Sequence, residues 1–357
     1  MSPAARVARR RLGIEPTTAV KQLQKAWPPA VPTQPLPAGQ GGRAKAADLG
    51  VKETQPLTFF VVGDHGGIKD PNPQNAVTLA MEAQALPAFV YSVGDVVYFN
   101  ADQTEWHPQF YEAYAHLPVP FLSIPGNHDG DTTDDPSRTP LDTWMANFCA
   151  AAPALPPGNE EYNRDVQTQP YCDWTLQCDA VTIVGVYSNV PSGGHLEPSQ
   201  VQWLTGELRD ADPQVPLIVT LHHPPYSIDA HHGGSKKMGK ALDEAFAASG
   251  RLPTLVISGH VHDYQRFTRS DLAQAIPSIP YVVIGNSGYH NLHRLASGAT
   301  PGEQLAPGVT FEYGDDSEYG FLKLTVADGK ISGEYVGVTP GTTPNAPPQV
   351  TPGKDTF

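Results

Sequence analysis

At 357 residues, with 39% hydrophobic and 17% charged side chains, the chain has the length and balance of one large globular domain or two ordinary ones. Its net charge of −14 is uneven: residues 1–50 hold eight Lys/Arg against Glu15 and Asp48, or +6, which leaves −20 on the remainder. A body that acidic excludes a grip on a nucleic-acid backbone, which needs clustered Lys and Arg, and no stretch approaches the ~20 apolar residues of a membrane span.

The amino end carries Arg9-Arg10-Arg11, but the following LGIEPTTAVKQLQKAW is too polar for an export signal. A cytoplasmic location is therefore expected over a periplasmic or secreted one. Residues 28–39 (PPAVPTQPLPAG) read as a stiff linker, and 1–55 together as a basic, Pro-rich, partly disordered extension. Strand and helix then alternate through 56–340. Strand 57–63 precedes a helix near 73–86 opened by Pro73, strand 88–93 a helix near 105–117, and strand 119–124 follows. Such alternation argues for a parallel sheet with helices outside it. Two loop-like stretches, 130–143 and 150–170, are rich in Asp, Pro, Gly and Thr.

The second half repeats the theme. Strands 171–177 and 180–187 lead to a helix at 198–210, then strand 216–221, a helix at 236–249, and strands 254–258 and 280–285. A hairpin closes it: FLKLTVA, the turn Asp328-Gly329, and KISGEYVG. Two such halves suggest two sheets packed face to face between helical layers, with 341–357 as a Pro/Thr-rich tail. Cys149, Cys172 and Cys178 show no metal-ligand spacing. Cys172 and Cys178 could face each other across a hairpin, although three reduced, partly buried thiols are the simpler expectation.

Five segments place metal-seeking side chains at or near strand ends: Gly63-Asp64-His65-Gly66, Gly94-Asp95-Val96-Val97-Tyr98, Gly126-Asn127-His128-Asp129, Val219-Thr220-Leu221-His222 and Gly259-His260-Val261-His262. In an open parallel sheet, ligands gather outside the carboxyl ends of the strands. Two carboxylates, a phenol, a carboxamide and three imidazoles delivered there would serve two metal ions. Such a pair, about 3.5–4 Å apart, is the apparatus of phosphoester hydrolysis.

In this order, Asp-x-Gly, Gly-Asp-x-x-Tyr, Gly-Asn-His-Asp, Val-x-x-His and Gly-His-x-His resemble the purple acid phosphatases, of compact type, within the calcineurin-like metallophosphoesterases. The resemblance covers about residues 57–290 and implies a four-layer αββα sandwich, with two mixed sheets face to face. It implies that Asp64, Tyr98 and His262 hold one ion, that Asp95 bridges, and that Asn127, His222 and His260 hold the second. The ions implied are Fe(III) and a divalent partner (Fe, Zn or Mn), because a phenolate ligand needs a strongly polarising cation.

The activity implied is hydrolysis of small phosphate monoesters by direct attack of a metal-bound hydroxide. By the same resemblance His128 would protonate the leaving group with Asp129 orienting its ring, and His231 and His232 would bind substrate or donate protons. A phosphodiesterase or nucleotide pyrophosphatase could use the same ligands, and a metal-binding protein without turnover is the rival from another class. His65, one position past Asp64, is expected outside the ligand set; His290 and His293 fit a pocket wall or the surface equally.

Overall fold

Alternation along the strands sorts the apolar residues into layers. In β2 (Leu57–Val62), Phe59 and Val61 face one side and Phe60 and Val62 the other. Phe59 and Val61 meet Ile183, Ile218, Ile257, Val282 and Leu322 in a shared central core. This core lies between two sheets. The computed structural model describes residues 42–357, apart from 133–134, 136, 158–163, 189–193, 271–277 and 344–345. The Arg9–Arg11 run, the linker 28–39 and parts of loops 130–143 and 150–170 lie outside the described residues.

The first sheet has six strands in the order β15 (Gln349–Thr356), β14 (Lys330–Thr339), β13 (Tyr319–Ala327), β2, β3 (Val90–Ser92), β4 (Phe121–Ser123). The second has nine. They run β1 (Arg43–Lys45), β5 (Trp174–Gln177), β6 (Thr182–Val186), β7 (Leu217–Leu221), β8 (Leu255–Ser258), β10 (Ile279–Ile284), β9 (Tyr264–Arg269), β12 (Val309–Asp315), β11 (Gln304–Ala306). Within them β2, β3 and β4 are parallel, as are β6, β7, β8 and β10. Helix α1 (Asn72–Glu82) covers the outer face of the first sheet, near α2 (Asp142–Phe148). Helices α3 (Pro198–Asp210) and α4 (Lys236–Ser249) cover that of the second. The result is the four-layer αββα sandwich.

Local chemistry explains the helix ends. Helix α3 opens on a capping box in which the Gln200 side chain accepts the Glu197 amide at 3.0 Å. Helix α4 is capped by Ser235, whose hydroxyl accepts from Met238, and stops at Gly250 with φ +69°.

Three expectations change. The helix near 105–117 is a 3-10 turn (Gln103–Glu105) followed by a short π turn (His107–Tyr111). There Pro108 lacks an amide for the helical ladder, and Gln109 turns inward to bond both backbone groups of Tyr98. The segment expected as a tail, 341–357, contains β15. It is fixed by Asp355, which accepts from Arg266 at 2.6 and 2.8 Å and from the Tyr264 hydroxyl at 2.9 Å. The segment expected as an extension, 1–55, reaches the body as β1, with Ala46 and Leu49 in the central core. All three cysteines are buried free thiols: Cys172 lies with Cys149 under the first sheet, Cys178 in the central core.

Candidate metal centre

The carboxyl ends of the parallel strands in both sheets converge on one cleft. Asp64 follows β2, Asp95 follows β3, Asn127 and His128 follow β4, His222 follows β7, and His260 follows β8. Each chain must turn sharply here to bring its side chain back over the sheet edge. Asp64, Asp95 and His260 do so with left-handed backbones, φ +54°, +55° and +69°. Gly94 adopts φ +104°, and a Cβ on Gly126 would collide with the Asp95 carboxylate. The Gly-Asp and Gly-Asn pairs thus have a steric reason.

The seven expected ligands meet in this cleft. On one side the Tyr98 hydroxyl donates to Asp64 Oδ1 at 3.2 Å and lies 3.4 Å from His262 Nε2, which is 3.5 Å from the same oxygen. On the other, Asn127 Oδ1 is 3.1 Å from His222 Nε2 and 2.9 Å from His260 Nδ1. Asp95 Oδ2 sits 3.4 Å from His222 Nε2. One ligand atom each from Asp64, Asp95 and His222 lie within 4.8 Å of one another. His222 Nδ1 donates to the Val93 carbonyl at 2.8 Å and His262 Nδ1 to the Asn291 carbonyl at 3.1 Å, so in both rings Nε2 faces the cluster.

The electrostatics ask for a cation. Burial, then the Asp64 and Asp95 carboxylates, push the Tyr98 phenol well above its ordinary value. Burial likewise raises the Asp64 carboxyl, with Asp95 adding to it. For His222 burial works downward, but Asp95 and Asp64 outweigh it and hold the ring up to about 9. Burial and the neighbouring imidazoles keep His260 and His262 neutral, as ligation requires. Two buried carboxylates and a phenol share one cleft, with His222 as the cationic partner supplied by the chain. Bound cations would reverse that penalty, so the donor set fits a pair of metal ions.

Around the cluster, His128 donates its amide to Asp95 Oδ1 at 2.8 Å, and its Nδ1 bonds the Phe99 carbonyl at 2.9 Å. The Asp129 carboxylate accepts the amides of Gly126 (2.8 Å), Asp95 (2.9 Å), Val96 (3.1 Å) and Val97 (3.2 Å). His65 is fully buried, with Nε2 3.0 Å from the Ser92 hydroxyl and its ring against Tyr114 and Phe121. His223 bonds Ser188 at 2.7 Å and packs on His260, so it is His222 that enters the cluster.

Exposed His231 and half-buried His232 lie at the rim, the His232 ring 4.9 Å from that of His260. His293 is buried against His262 with ring centroids 4.3 Å apart, and His290 leans on Tyr289. Two residues outside the motifs also shape the site. Gln109 clamps Tyr98, its carbonyl accepting the Tyr98 amide at 2.9 Å and its amide donating back at 2.7 Å. Tyr289 packs its ring on both Tyr98 (4.3 Å) and His262 (4.5 Å).

The calcineurin-like phosphoesterase family profile matches residues 57–264. Among curated relatives, purple acid phosphatase 22 of Arabidopsis thaliana is 27% identical over 288 residues, 78% of this chain and 59% of the relative. Purple acid phosphatase 21 of the same plant is 29% identical over 202 residues, 55% of this chain and 42% of its own length. The chain thus spans about three-fifths or less of the length of these relatives. Among solved structures, purple acid phosphatase PPD1 from yellow lupin seeds superposes with a TM-score of 0.56 at 16% identity, over 80% of this chain and 52% of its own. GAP50, the anchor in the inner membrane complex of Plasmodium, gives 0.54 at 13% identity, over 79% and 84%. At such identities the two structures show a shared fold. Among the described residues no helix is long and apolar enough to cross a membrane.

Proposed function

The chain belongs to the calcineurin-like phosphoesterase family, and on that footing we propose that it is a metal-dependent phosphomonoesterase of the purple acid phosphatase type. The observation that carries this is the Tyr98 hydroxyl, buried and 3.2 Å from Asp64 Oδ1 in the cluster. A phenol there is of use as a ligand to a strongly polarising cation, which favours Fe(III) beside a divalent Fe, Zn or Mn ion. Asp64, Tyr98 and His262 would hold the first ion, Asn127, His222 and His260 the second, with Asp95 between them. Such a pair, when bound, supplies Lewis acidity that offsets phosphoryl charge and makes water more acidic.

The rest falls to the chain. The Val93 and Asn291 carbonyls fix which nitrogen of His222 and His262 is offered. With Nδ1 held by Phe99, the His128 ring presents Nε2 to the leaving oxygen, to which it would give a proton. His231 and His232 at the rim would bind the phosphoryl oxygens. The acidic body offers an anionic substrate no such help, which leaves its capture to this cleft.

Metal analysis and the visible spectrum of the purified protein test the reading, together with rates on a phosphate monoester and its bis-ester. The expected result is iron with a violet phenolate-to-iron band and faster monoester hydrolysis. Metal-loaded protein lacking both the band and hydrolysis would overturn it; preference for the bis-ester would make the enzyme a diesterase.

A further inference from the structure

Asp229 and His293 belong to none of the five segments, yet they join two parts of the cleft. His293 Nδ1 lies 3.1 Å from Asp229 Oδ2, and the same oxygen accepts the backbone amide of His232 at 2.7 Å. The Asp229 side chain is wholly buried. Burial alone would raise its carboxyl; the His293 bond and the loop amides outweigh that and hold it below its ordinary range, so it stays ionised. Around it the two segments are stitched by backbone bonds, Ala230 N–H to the Arg294 carbonyl at 2.9 Å and Ala296 N–H to Ile228 at 2.8 Å. Ser227 closes the turn from within, donating to the His232 carbonyl at 2.9 Å.

The other end of this connection reaches the cluster. The His293 amide donates to the His262 carbonyl at 2.9 Å, and the two rings pack at 4.3 Å with 34° between their planes. The His293 ring also lies 5.2 Å from that of His231 and 5.1 Å from that of His232. A buried carboxylate that bonds a ring on one side and a loop amide on the other fixes the distance between them. Removing it leaves both donors without that acceptor, and the loop loses its charge-assisted anchor.

We propose that Asp229 and His293 are a positioning pair: they set the His231–His232 turn over the metal cluster by tying it to the segment that carries His262. The pair touches no reacting atom; it acts on phosphate binding through His231 and His232. This rests on the phosphoesterase reading of the cleft, but the position of the turn can be measured without turnover.

The test uses the full chain, metal-loaded, with Asp229→Ala and Asp229→Asn made in the wild type and in a His231→Ala/His232→Ala background. Amide hydrogen exchange reports the turn directly. In Asp229→Ala, residues 228–233 are expected to exchange at least ~10-fold faster, with β7 and β8 unchanged and metal content retained. Inorganic phosphate, as competitive inhibitor and as titrant, should bind about tenfold more weakly, the order of one charge-assisted hydrogen bond. KM should rise by a similar factor with kcat changed less. Asp229→Asn, which keeps an oxygen acceptor for the His232 amide, should recover part of the loss. In the double-alanine background Asp229→Ala should add less than about twofold, since the groups it positions are gone. Unchanged exchange in the turn, or an equal loss of phosphate affinity in both backgrounds, would overturn the proposal. Wild-type protein without phosphatase activity would sink the functional reading alone, and hydrogen exchange would still decide the pair.

Discussion

The carboxylate of Asp129 accepts the backbone N–H of Asp95 at 2.9 Å, so two loops that supply candidate ligands from adjacent strands are fixed to each other. The same carboxylate also takes the amides of Gly126, Val96 and Val97. One side chain therefore sets the register between the turn bearing Asp95 and Tyr98 and the turn bearing Asn127 and His128.

Asp129→Ala would strip four buried amides of their acceptor. A loss of about 3–5 kcal/mol in unfolding free energy of the metal-free protein is expected, with Asp129→Asn milder. Chemical denaturation without metal measures it. A change under about 1 kcal/mol would show that water replaces the carboxylate.

For Tyr98→Phe the fold should stand, because the ring keeps its packing against Tyr289 and His128. The violet band should vanish and iron affinity fall. A spectrum that keeps the band would mean that the absorbing ligand is another group.

His128→Ala should keep both metals and lose turnover by about 10²–10⁴, the range for general acid assistance. The loss should be smaller for a substrate whose leaving group needs no proton. Metal analysis beside rates on an alkyl and a nitrophenyl phosphate separates that from damage to the site. Equal losses on the two esters would remove the proton-donor role.

The metal-free protein should be less stable at pH 9 than at pH 6.5. His222 is held up to about 9 in the fold by Asp95 and Asp64, so its stabilisation is full below its unfolded value of ~6.5 and lost as pH rises to about 9. Asp64 acts in the same sense: its raised carboxyl keeps a proton that the unfolded chain has already released. Asp95, held low by His222 and His128 against burial, contributes a constant amount over this range. Thermal melts of the stripped protein across pH 6–9 should slope downward, and metal loading should protect more as pH rises. A flat profile for the stripped protein would contradict the assignment of the buried charges.

Much of the cleft was legible because its side chains stand next to strands that announce themselves. Runs such as LTFFVV and LIVTL are apolar on both faces, as strands buried between layers must be. The helices at 198–210 and 236–249 coincide with α3 and α4, where helical spacing and end signals agree. What stayed hidden depends on distant partners. Nothing in QVTPGKDT marks a strand; Asp355 becomes informative once Arg266 and Tyr264 lie beside it. Strand β9 carries a charged, polar pattern that makes sense beside β10 and β12. Asp229 and His293 are 64 positions apart and share no motif. For Asp129 the spacing to His128 is visible in the sequence, while the four amides its carboxylate accepts are not.

The left-handed backbones at Asp64, Asp95 and His260 carry a cost in folding. Each costs on the order of 1 kcal/mol beside a glycine at the same place. Glycine at any of them would relieve that strain but remove a donor atom from the cleft, and at Asp64 and Asp95 it would also strip the His260 and His128 amides of their acceptors. The three strained turns therefore hold only as long as the surrounding bonds outweigh them, so the cleft's shape depends on the side chains it presents.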